Sequence, residues 1–203
     1  MFSALLVTVI YSFAKGLQEI MASKFARKRT YQLIKKFSRA DNGATAVEFA
    51  LIAAPFFFLL FAMLEIIMVF FVTVTMEHAT MEVARTIRTG ESQQAGQSSG
   101  DFLNAVCGEM NDLIPCNGNV SIDVRTYTDF GDVNITDPIE DGELNNAAFL
   151  YSPGEAGDIV VVRVFYTWEI QTPMIAAIFA NLSDRRRLLI ATAAFRNEPF
   201  GEL

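Results

Sequence analysis

The sequence predicts an α+β protein: a long N-terminal helix containing a transmembrane stretch, continuing into a small exported domain with an antiparallel sheet. Three observations lead there. Residues 49–74, FALIAAPFFFLLFAMLEIIMVFFVTV, hold a single charged group, Glu65. Charge is segregated along the chain, basic before this stretch and acidic after it. Beyond residue 119, three stretches carry the signature of strands, the first by strict alternation. At 203 residues and 52% hydrophobic, with 19% charged, the chain is no disordered protein. A net charge of −7 excludes nucleic-acid binding by bulk electrostatics.

Residues 1–43 form a basic leader. Eight Lys and Arg stand there against Glu19 and Asp41, a net of +6. Residues 44–203 hold eight Arg, no Lys and 21 acidic residues, a net of −13. An apolar stretch at residues 4–14 is too short to span a membrane and lacks a basic n-region and a small-x-small cleavage site, so it is a poor secretory signal. It reads as an interfacial segment, or else Met21 is the true start.

The junction runs Arg39-Ala-Asp-Asn-Gly43-Ala44-Thr-Ala-Val-Glu48-Phe49. A carboxylate at the mouth of an apolar helix is costly unless paired. Cutting after Gly43 would expose an α-amine on Ala44 able to pair with Glu48, in the same subunit or a neighbouring one. A plain reading of Glu48 is a carboxylate favoured by the helix macrodipole, but that explains neither the glycine nor the leader.

The 26 residues that follow rise about 39 Å as a helix, more than a hydrocarbon core of about 30 Å requires. The basic flank precedes the span, so the N-terminus is cytoplasmic and the C-terminal domain lies outside. Pro55 allows a kink or is simply tolerated. Glu65 stands about 26 Å beyond Glu48 along the axis. The two carboxylates then mark opposite membrane faces, or Glu65 is buried against another membrane subunit. Either way it needs a partner; the plain reading is an unpaired, protonated Glu65.

Past the span, Val72, Met76, Ala79, Val83 and Ile87 recur at four- and three-residue intervals as one stripe, avoided by Glu77, Glu82, Arg85 and Arg88. Gly90 is the stop, completing a helical segment over 44–90, and residues 91–100 read as a polar linker. The exported domain occupies 101–203. It opens with a helix over 101–114, apolar at Phe102, Val106, Met110 and Leu113 and ended by Pro115. Cys107 and Cys116 are placed to close a disulfide in an oxidising compartment, with two buried thiols as the alternative.

Strands follow at 120–125, 158–170 and 188–195. In the second, Val160, Val162, Val164, Tyr166 and Trp168 share one face. Residues 173–182 suit a short helix with Pro173 in its first turn. Between the first two strands, residues 128–157 carry Asp129, Asp132, Asp137, Glu140, Asp141, Glu143 and Glu155 and no basic group. This loop lacks EF-hand spacing and reads as solvated or partner-facing, with calcium as the lesser alternative. No catalytic, cofactor or metal residue is expected. His78, the sole histidine, has no nucleophile nearby in sequence, and no P-loop, dinucleotide fingerprint or zinc-ligand spacing occurs. The chain does not read as an enzyme.

Gly43-(x)4-Glu48-Phe49 after a basic leader resembles the type IV pilin-like precursors cut by a prepilin peptidase. More narrowly, GATAVEFALIAAPFFFLLFAMLE, continued by His78-Ala79-Thr-Met-Glu-Val-Ala84-Arg85, is similar to the TadE-like pseudopilins of the tight-adherence (Flp pilus) system. Suggestive later matches are Gly157-Asp158, Tyr166 with Thr172-Pro173, and Arg196-Asn197-Glu198-Pro199-Phe200. The resemblance implies a pilin-like lollipop, processing at Gly43 and Ala44, and assembly contacts through Glu48, Phe49 and Glu65. It implies a non-catalytic minor pseudopilin of the bacterial inner membrane that assists pilus assembly. Its partners would be the prepilin peptidase, other pilin-like subunits and the inner-membrane assembly platform. The alternative is an uncleaved, signal-anchored periplasmic subunit of a secretion or envelope complex.

Overall fold

A computed structural model describes residues 41–110 and 114–201. The leader up to residue 40, the stretch at 4–14, the Met21 alternative and Leu113 lie outside the described residues. The expected class is observed: a long apolar helix followed by a small antiparallel-sheet domain. Helix α1 spans Asp41–Arg88 and runs through Pro55. The chain divides into two compact units with a boundary between Phe58 and Leu59.

The first unit contributes the opening of α1. Its side chains stand at the surface, Phe49 71% and Leu51 72% exposed. The rings of Phe56 and Phe57 meet edge to face at 5.5 Å.

In the second unit the sheet is β1 (Val120–Tyr127), β4 (Ile159–Glu169) and β5 (Arg186–Arg196), in the order β1-β4-β5, with both pairings antiparallel. Alternation along β4 explains how it is covered. Val160, Val162, Val164 and Tyr166 join Val120 and Val124 of β1 and Leu189 and Ala191 of β5 in the main core. The stripe of α1 closes over that face, with Val72, Met76, Ala79, Val83 and Ile87 all buried. Phe102, Val106 and Met110 of α3 (Ser99–Glu109) complete the layer.

The ends of these elements follow from local chemistry. Gly90 sits at φ 81, and a Cβ there would lie 2.3 Å from the Phe200 ring, so glycine serves both the left-handed turn and the close approach of the C-terminal segment. Residues 91–100, expected as a linker, fold into a short helix α2 (Glu91–Gln94) and a capped start of α3. Buried Ser92 contacts the Tyr151 hydroxyl at 3.1 Å. Ser98 and Asp101 form a capping box, so α3 begins at Ser99 rather than Asp101. It ends at Glu109, short of the expected 114. Cys107 and Cys116 are joined in a disulfide with Cα atoms 6.0 Å apart.

The acidic loop is not simply solvated. It packs on the second face of the sheet, where Phe149 stacks on Phe165 at 4.8 Å and Ile139 and Leu144 lie against Phe165, Leu182 and Leu188. Ile139 and Leu144 belong to a two-stranded hairpin, β2 (Ile139–Glu140) and β3 (Glu143–Leu144). At its centre Asp123 and Arg163 face each other across β1 and β4, joined at 2.5 Å, and both are buried. Asp123 also accepts from Arg125 and from the Leu150 N–H, while Arg163 donates to the Thr136 carbonyl. The loop is therefore held by the pair. Burial pushes the Asp123 carboxyl up, but its hydrogen bonds from Arg163, Leu150 and Arg125 outweigh that, leaving it below the ordinary value. Other acidic side chains serve local turns: Asp129 accepts from the Gly131 N–H and Asp137 from the Ile139 N–H. Among the described residues no group of three or more His, Cys, Asp or Glu is placed to hold a metal.

Candidate membrane and assembly site

Helix α1 carries every assembly residue named from the sequence. Gly43 and Ala44 lie in its first turn. Glu48 and Phe49 follow, both exposed, in the first unit. Glu65 belongs to the second unit and is in a different situation.

The stripe of α1 does not begin at Val72. Counting back by three and four gives Val69, Glu65 and Ala62, and the structure packs this whole register against the domain. Ala62 and Glu65 are buried, and Val69 lies against the core. Glu65 is 8% exposed. One carboxyl oxygen accepts the Gln171 N–H at 2.6 Å and the other the Thr172 N–H at 2.9 Å. Those two groups lead directly into α4 (Pro173–Phe179), whose N-cap Thr172 makes no side-chain capping bond of its own. The partner that a carboxyl group needs at an apolar boundary thus comes from the same chain.

The donors expected from another membrane subunit are thus backbone groups of the same chain. The signal was in the sequence: the stripe register passes through Glu65. Its acceptor role was not legible, because the donors are backbone groups 106 and 107 residues downstream.

On the side of α1 away from the domain, apolar groups remain at the surface on both sides of Glu65. Met63 is 66% and Phe70 69% exposed. Within the most apolar window of Thr45–Arg88 only 11% of residues are buried, the opposite of a core helix in a soluble protein. The helix is long and apolar enough to cross a membrane. Residues 43–85 match the family model described as TadE-like protein. No curated protein and no solved structure matches the chain. The TadE-like segment starts at Gly43 and takes in Glu48, Phe49, Glu65 and most of the stripe. It ends at Arg85, so the sheet domain lies outside the match.

Later landmarks of the resemblance also meet the helix. Thr172 is one of the two donors to Glu65. Glu198 donates its N–H to the Arg88 carbonyl at 2.9 Å, and buried Asn197 donates its side-chain amide to the Pro153 and Glu155 carbonyls. The Thr172 and Glu198 bonds tie the domain to α1, while those of Asn197 hold the loop beside it.

Proposed function

We propose that the chain is a minor pseudopilin that assists assembly of tight-adherence (Flp) pili and has no catalytic role. The observation that carries this reading is the TadE-like match beginning at Gly43, the residue after which the leader would be cut. A prepilin peptidase removes the leader and leaves Ala44 as the N-terminus. The chain sits in the inner membrane with its domain in the periplasm, an oxidising compartment that suits the Cys107–Cys116 disulfide.

The two parts of α1 then divide the work. Residues around Glu48 and Phe49 offer an apolar surface, with one carboxyl group, to other pilin-like subunits and to the assembly platform. The Ala44 amine of a neighbouring subunit pairs with Glu48. The distal part of α1 carries the domain. N-terminal sequencing of the protein recovered from membranes tests the reading. Ala44 as the first residue is expected, and Gly43→Arg should abolish the cut. An intact leader on the assembled protein would instead favour a signal-anchored subunit that is never processed.

A further inference from the structure

We infer that α4 is a second membrane contact, an interfacial helix that lies on the lipid bilayer beside the point where α1 enters it. The inference rests on reading α1 as membrane-spanning. Twenty helical residues, 45–64, rise about 30 Å, the thickness of a hydrocarbon core. Glu65 is the next residue, and its two hydrogen bonds tie Gln171 and Thr172 to the edge of that core. α4 starts one residue later.

The composition of α4 fits that depth. Residues 171–182, QTPMIAAIFANL, carry no charge in a post-leader chain of net −13. Ala176 is buried toward the domain, whereas Met174 and Ile178, one turn apart, are 68% and 81% exposed. Ile178 is the most exposed large apolar residue of the described chain. The apolar surface is continuous with that of α1: Ile66 and Phe70 share one groove with Phe179 and Ile190. Arg187 closes the C-terminal end of α4, donating to the Phe179 carbonyl at 2.7 Å with its guanidinium over the Phe179 ring. A cation there reaches headgroup phosphates while its stem stays on apolar surface.

Arg186 is taken by Glu143. Asp184 also lies 3.9 Å from Arg186 and Glu169 stands opposite it across β4 and β5, so acidic groups accompany the arginines here. Burial of Met174 and Ile178 therefore carries the contact, and neutral lipid suffices.

The test uses the full chain reconstituted in phosphatidylcholine vesicles. The native cysteines are bonded to each other, so a spin label reacts only at an introduced thiol: Ile178→Cys, Met174→Cys, Met63→Cys as the span reference, or Ile135→Cys as the water reference. Collision with oxygen and with a water-soluble nickel complex reports depth. The expected oxygen-to-nickel ratio is severalfold higher at 174 and 178 than at 135, and lower than at 63. Labels at 174 and 178 resembling 135, with 63 in lipid, overturn the inference and leave the span standing. Labels at 174 and 178 shielded from both reagents mean a protein contact, such as a second copy, and also overturn it. A water-accessible 63 overturns the span reading itself, and the inference falls with it.

Discussion

Two stretches of one helix differ in what they require. Residues 45–61 of α1 are apolar all round, and none of their side chains is fully buried. Residues 62–87 carry a stripe from Ala62 to Ile87 that packs on the domain, while Met63 and Phe70 beside it stay exposed. Both stretches are helical by composition, so helix formation does not separate them. What separates them is where the covering surface comes from. A stripe matches one partner surface, which the chain supplies in β1, β4, β5 and α3. A helix apolar on every side suits lipid or other subunits. The most sensitive substitutions should therefore cluster where the chain closes on itself.

The largest effect is expected at the closed second face of the sheet. Asp123→Ala leaves Arg163 buried without its carboxylate, and breaking a buried pair costs about 3–5 kcal/mol. Chemical denaturation of the full chain in detergent, followed by Trp168 fluorescence, measures this. The pH dependence has a fixed sign. The folded Asp123 carboxyl lies below its ordinary value of 3.8, so folding favours the ionised form. Its stabilisation is complete above that value and is lost as pH falls below it, through the folded value. Asp123→Asn should flatten this acid limb. An acid limb unchanged by the substitution would assign the loss to other carboxylates.

Next comes a matched pair within α1. Met76 is fully buried and Met63 is 66% exposed. Met76→Ala should cost about 2–5 kcal/mol, whereas Met63→Ala should leave domain stability within about 0.5 kcal/mol. Comparable losses at the two positions would erase the distinction between the packed stripe and the open side of the helix.

How much of this was legible in the sequence depends on where each residue finds its partner. The stripe from Val72 to Ile87 and the alternation of β4 are periodic, and period reports a face directly. The capping box at Ser98 and Asp101 was equally local, and it sets the start of α3 two residues earlier than the apolar pattern suggests. The packed acidic loop was harder. Its clue was that Ile159, Val161 and Phe165 make the second face of β4 apolar too, the mark of a strand covered on both sides. Acidic side chains obscured that clue, because several of them accept turn N–H groups. The two-residue strands β2 and β3 are set by tertiary contacts and leave no periodic trace. Glu65 was visible as a charge needing a partner, but the partner is backbone, which side-chain patterns do not reveal.

Glu65 lies one turn inside the packed stretch, and replacing it sharpens where that stretch begins. Glu65→Ala leaves the Gln171 and Thr172 N–H groups without acceptors beside buried apolar surface. Each such loss costs about 1–3 kcal/mol. The effect should be local, with faster amide hydrogen exchange over residues 171–179 and little change in β1. Glu65→Gln keeps one acceptor oxygen and should recover part of the protection. Equal exchange in wild type and Glu65→Ala would mean the boundary is held by the apolar contacts of Ala62 and Val69 alone.

The smallest effect on stability, and the sharpest contrast with function, is expected at Phe49. Its side chain is 71% exposed. Phe49→Ala should leave the denaturation midpoint of the domain unchanged within about 0.5 kcal/mol. Under the proposed function the same substitution should reduce surface pili, because the lost ring belongs to the surface offered to other subunits. Glu48→Ala should act the same way while leaving the cut after Gly43 intact. Normal piliation in both variants would remove the open stretch of α1 from assembly. A fall in domain stability would instead mean that this stretch finds its partner inside the chain.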